Sequence, residues 1–179
     1  FIGKFHMSDT EFSTPGQTNI ILVAPHGYMG KPSNDDELTA EIAIQMRNQL
    51  NCYAVINKTY RRPKGSDPIF DRDKKICNLN NMSQYKNEAP DLYDAFVGAI
   101  RRFKNEIKDQ GHVPYIFYVH GASTKQFDNA CKKADATKHK DINILIGTGR
   151  GIFDKDKEES LTALPEDVDR LIDCLKEEQ

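Results

Sequence analysis

The chain has 179 residues, and 25 basic against 27 acidic side chains leave it a formal net charge of −2. That length is enough for one domain with a full core, and the near-neutral balance argues against a nucleic-acid binder, which carries a basic excess. A mean hydropathy of −0.66 and the lack of any long apolar run argue against a membrane partner or a spanning helix.

Phe1 to Ser13 alternates apolar with charged residues and has no apolar stretch of the signal-peptide kind, so the expected compartment is the cytoplasm. Phe1 in place of Met predicts that the natural N-terminus lies upstream. The first clear element is Asn19-Ile20-Ile21-Leu22-Val23-Ala24-Pro25-His26-Gly27, a buried strand closed by a His-Gly pair. A polar loop from Tyr28 to Glu37 leads to a helix of about three turns. Its Leu38, Ile42, Met46 and Leu50 recur every fourth residue and predict the buried face.

A short strand, Cys52 to Ile56, comes next. The stretch from Asn57 to Pro90 reads as a long polar loop punctuated by Pro63, Gly65 and Pro68. A second helix is predicted from Asp91 to Asp109, with Leu92, Phe96, Ile100, Phe103 and Ile107 along one side and Gly111 marking its end. Pro114-Tyr115-Ile116-Phe117-Tyr118-Val119-His120-Gly121 then repeats the first pattern: an apolar run read as a buried strand, closed by His-Gly. Beyond a Lys-rich segment, Asp141 to Ile146 reads as a further strand running into the glycine-rich turn Gly147 to Gly151. A last helix opens at Pro165, with Val168, Leu171, Ile172 and Leu175 on its buried side. Strands alternating with helices predict one α/β domain over 1–179: three layers, a mainly parallel or mixed sheet, helices on both faces.

In an open sheet of this kind ligands bind outside the carboxyl ends of the strands, so both imidazoles are expected on one rim. With acidic residues shortly after the first, the pair points to a divalent metal, zinc above all. The third protein ligand is expected from Asp35, Asp36 or Glu37, which lie near the positive end of a helix and serve equally well as its caps. Arg61 and Arg62, just past a strand end, and Arg150 in the glycine-rich turn are candidate clamps for a substrate carboxylate. Gly147 to Gly151 lacks the Gly-Lys-Ser/Thr ending of a phosphate-binding loop. The four cysteines form no Cys-x-x-Cys spacing. Cys52 and Cys174 read as buried small hydrophobes, and Cys77, placed in a polar loop, is a candidate nucleophile paired with His120 in a competing cysteine-hydrolase reading.

Three stretches carry a family resemblance: Ala24-Pro25-His26-Gly27, Asp36-Glu37-Leu38-Thr39-Ala40-Glu41-Ile42-Ala43, and Val119-His120-Gly121-Ala122-Ser123. Together they resemble the N-formylglutamate amidohydrolase family and are similar to the related phage poly-γ-glutamate hydrolases, over about Asn19 to Leu175. The resemblance implies a zinc-carboxypeptidase-like (phosphorylase/hydrolase-like) fold and a metal set of His26, Asp36 and His120, with Glu37 as the fallback. It implies a hydrolase that cleaves the amide of a small acidic substrate, an N-acyl amino acid or a γ-glutamyl compound. The competing expectation is an inactive metal- or ligand-binding protein of the same fold. Two departures stand out. The family's Asp-Leu-Asn-Arg stretch is here Asn78-Leu79-Asn80-Asn81, so Asn80 matches as a substrate-binding residue and the Arg does not. The general base of the carboxypeptidase relatives, a glutamate on a late strand, has no counterpart before Gln179; Glu158 and Glu159 sit in a charge run, and two expectations follow, a chain truncated at its C-terminus or one in which the base is missing.

Overall fold

Ile20 to Ala24 contains no polar side chain, and such a segment is stable only as a strand covered on both sides. In the computed structural model, which describes residues 12–30, 38–81 and 85–121, it holds that central place. All described residues fall within the unit Phe1–Ala122. The predicted strand Asp141–Ile146, the turn 147–151 and the helix from Pro165 lie outside them.

The elements, in order, are β1 (Ser13–Thr14), β2 (Ile20–Ala24), α1 (Thr39–Leu50), β3 (Tyr53–Ile56), β4 (Phe70–Asp71), β5 (Ile76–Cys77), α2 (Pro90–Tyr93), a π-helical turn (Asp94–Gly98), α3 (Ala99–Asp109) and β6 (Tyr115–Tyr118). The protein is mixed α/β. Its main sheet has the order β1-β3-β2-β6. β2 runs parallel to β3, with Val23 opposite Val55, and parallel to β6, with Ile21 opposite Ile116. β1 pairs antiparallel with β3, which makes the sheet mixed.

Alternate strand residues feed two apolar clusters, as the two-residue period of a strand requires. Leu22, Ala24, Ala54 and Ile56 join Ala40 and Ala43 of α1. Ile21, Val23, Tyr53 and Val55 join Phe103 and Ile107 of α3. In the second cluster the rings of Tyr53 and Phe103 stand 4.8 Å apart, and the Tyr53 hydroxyl donates to Glu106 over 2.8 Å.

α1 forms where expected but buries a different face. Leu38, Ile42, Met46 and Leu50 are exposed, whereas Thr39, Ala40 and Ala43 are buried. The reason is clearance. A Cβ added to Gly27 would lie 2.6 Å from the Ala40 Cβ, so the helix rides against the exit of β2 on its smallest side chains. Leu38, its N-cap, takes φ 64°, a left-handed conformation that is costly for a residue with a branched side chain.

The second predicted helix begins one residue earlier, with Pro90 in the first turn. Its expected inner face of Leu92, Phe96, Ile100, Phe103 and Ile107 is buried throughout. The steps of four from Leu92 to Ile100 outrun a 3.6-residue turn, and the wider π-helical turn over 94–98 absorbs the drift. The long loop after β3 contains structure of its own. β4 and β5 form an antiparallel pair, and Arg61 bridges to Ile76 beside them.

β6 departs most from expectation. Tyr115, Ile116, Phe117 and Tyr118 are between 37 and 51 % exposed, because β6 is an edge strand of the described sheet, paired only through β2 there. No helix among the described residues is long and apolar enough to cross a membrane.

Candidate metal site

Parallel neighbours deliver their carboxyl ends to the same edge, and β2 and β6 are parallel neighbours. The last ladder bond between them is the Val119 N–H to the Val23 carbonyl, 2.8 Å. His120 is the next residue after Val119, and His26 lies three residues after Val23. Their ring centres lie 5.2 Å apart with the planes inclined at 46°. Two imidazoles bound to one tetrahedral zinc at about 2.0–2.1 Å per bond have ring centres roughly 5 Å apart, so the pair fits a shared metal.

The two rings sit in different surroundings. His26 is 5 % exposed, in a turn whose neighbours Pro25 and Gly27 are also buried. His120 is exposed, and its ring lies parallel to that of Tyr118, at 7° and 6.4 Å between centres. Among the described residues no third His, Cys, Asp or Glu completes a metal-binding group with them. Asp36, the expected third ligand, and its alternatives Asp35 and Glu37 lie outside the described residues.

Asn57 binds the site's foundations together. It is the first residue after β3 and is fully buried. Its N–H donates to the Ala24 carbonyl, 2.9 Å. Its side-chain Nδ2 donates to the carbonyls of Pro25, 2.8 Å, and Tyr60, 2.6 Å, while Oδ1 accepts from the N–H groups of Tyr60, 2.8 Å, and Thr59, 3.1 Å. Sequence patterning does not single this residue out, although an Asn directly after a strand is itself a turn signal.

The expected substrate-binding residues are placed as follows. Arg61 donates to Asp67 Oδ2 over 2.6 Å and to the Arg62 carbonyl over 3.1 Å. That hydrogen bond from Arg61, then the one from the Lys64 N–H, holds the Asp67 carboxyl below the usual carboxylate range. Arg62 is half-buried on the same segment. Asn80 is exposed in a turn where its N–H donates to Asn78 Oδ1, 3.2 Å. Arg150 lies outside the described residues.

Cys77 is not in a polar loop. It is buried in β5, and burial, reinforced by the nearby Glu88, pushes its thiol up to about 12. A nucleophilic cysteine needs the thiolate, so the geometry gives the cysteine-hydrolase reading no support. Cys52 is buried as expected, and Cys174 lies outside the described residues.

No protein-family model matches this chain, and neither the curated proteins nor the solved structures contain a significant match.

Proposed function

We propose that this protein is a zinc-dependent amidohydrolase of the N-formylglutamate amidohydrolase type, with the three-layer zinc-carboxypeptidase-like fold, acting on N-acyl amino acids or γ-glutamyl amides. The reading rests above all on the convergence of His26 and His120, 5.2 Å apart at the ends of neighbouring parallel strands. Imidazole nitrogen is a donor of the kind zinc takes, and Asp36 is the third ligand in this reading. Zinc bound there would lower the pKa of its water to about 7 and polarise the substrate carbonyl.

The chain's own residues would do the rest. His26 approaches from the buried side and fixes position, while the exposed His120 leaves the substrate's side open. A substrate carboxylate needs a fixed cation. The candidates for it are Arg61, which also holds Asp67, Arg62 on the same segment, and Arg150, with Asn80 as a further polar contact.

Metal analysis of the purified protein, followed by assay on N-formylglutamate and a γ-glutamyl amide with and without chelator, tests the reading. Expected are about one zinc per chain and hydrolysis that a chelator abolishes and zinc restores. Zinc binding through His26 and His120 without turnover of either amide would favour the competing binding-protein reading. Absence of zinc binding would overturn both.

A further inference from the structure

We propose that Asn57 is the positioning residue of the two-histidine site, an inference that rests on the metal reading above. The β2–β3 ladder ends where the Asn57 N–H reaches the Ala24 carbonyl. One residue further the chain leaves the sheet, and there the Asn57 side chain takes over by donating to the Pro25 carbonyl, 2.8 Å. Pro25 is the residue immediately before His26. On the other side of His26 the chain is tied to the same turn again, because the Met29 N–H donates to the Lys58 carbonyl, 3.3 Å. His26 is thus bracketed by two bonds to one short segment, 57–60.

That segment is itself organised by Asn57. An amide side chain has two donor hydrogens and an acceptor oxygen with two lone pairs. Here both donors and both acceptor positions are used, on Pro25, Tyr60 and Thr59. The residue is completely buried, so each bond is made in a low-dielectric setting, and a lost partner would leave a carbonyl or N–H stranded. Gly27 closes the junction from the far side, since a Cβ there would lie 2.8 Å from the Asn57 carbonyl oxygen and 2.6 Å from the Ala40 Cβ. One buried amide therefore sets the path of the backbone that carries His26. Groups one step removed from a metal characteristically alter its affinity by roughly 10–100-fold when replaced.

The replacements Asn57→Asp and Asn57→Ser separate this role from plain stability. The aspartate keeps the acceptor and loses both donors to carbonyls. The serine keeps one hydroxyl, shortened by one bond. For each full-length variant, zinc affinity is measured by calorimetry, fold by far-UV circular dichroism, and the His26 ring by nitrogen-correlated NMR in the metal-free protein. Expected is a folded chain with zinc affinity down roughly 10–100-fold and a displaced or broadened His26 signal, while the signal of the distant His112 stays put. Wild-type affinity in variants that are merely less stable would overturn the proposal and leave the metal reading intact. Failure of both variants to fold would make Asn57 a determinant of the fold and overturn the proposal as well. A wild-type chain that binds no zinc would overturn the metal reading itself, and this proposal with it.

Discussion

His26 and His120 leave adjacent parallel strands in the same direction, yet the ground beneath them differs. β2 lies between β3 and β6, its residues from Ile21 to Ala24 are fully buried, and its exit is pinned through Asn57. β6 has one partner among the described strands, its four residues are exposed, and His120 follows the last ladder bond by a single residue. In the proposed site the buried imidazole would set position and the exposed one would lie open to incoming substrate. Two near-identical sequence patterns, apolar run then His-Gly, have become an anchor and an edge.

The sharpest way to break this contrast uses a directly paired couple. Ile21 and Ile116 face each other across β2 and β6, one fully buried and the other 37 % exposed. Ile21→Ala should cost about 2–5 kcal/mol in urea unfolding, while Ile116→Ala should cost under about 1 kcal/mol. Equal losses would show that the edge is buried in solution and that the contrast does not hold.

Zinc linkage is the next largest effect. At free zinc about 100 times its dissociation constant, the wild-type chain should gain roughly 2.7 kcal/mol, read as a rise in Tm. His26→Ala and His120→Ala should each abolish that gain. Only His26→Ala should also lower the Tm of the metal-free protein, because only that ring is buried. A metal-free penalty for His120→Ala of the same size would erase the distinction between anchor and edge.

Arg62→Ala should cost roughly 1.5–3 kcal/mol in kcat/KM for acidic amides, with little change for neutral ones, as the loss of a charge-assisted bond to substrate requires. Equal losses on both substrates would show that Arg62 supports structure only. Cys77→Ala should leave metal-dependent turnover unchanged, and native Cys77 should resist thiol reagents at neutral pH, since its thiol is buried and pushed up to about 12. Rapid labelling of Cys77 in the folded chain would contradict the buried β5.

The smallest effect is pH-dependent. The folded-state pKa of Asp67 is lowered by Arg61 and the Lys64 N–H. Its contribution is therefore present above the unfolded carboxylate range and is lost as pH falls through the lowered folded value. Asp67→Asn should be slightly less stable than wild type at neutral pH, and the two urea midpoints should merge in acid. A gap that persists at the lowest pH would show that the side chain acts through shape and neutral hydrogen bonds.

By itself the sequence determined where the apolar segments lie and that two of them end in His-Gly. β2, β3 and the inner face over Leu92 to Ile107 were legible because an apolar run or a helical period states its own need for cover. Spacing could not choose between rival faces. Leu38, Ile42, Met46 and Leu50 form the more apolar stripe of α1, but the tight exit of β2 at Gly27 meets Ala40, and the face with Ala40 and Ala43 is the one buried. Nor could an apolar run announce its place in a sheet, so β6 read as buried although it stands at the edge of the described strands. Cys77 looked like a loop residue because the β4–β5 pair is only two residues long on each side, too short to show a period. The sequence predicted one rim for His26 and His120, 94 positions apart, but tertiary structure alone decided that their strands pair directly, with ring centres 5.2 Å apart, and that Asn57 joins the β2 and β3 exits. Both depend on which strands become neighbours, and strand order is settled by packing between segments that are distant in the chain.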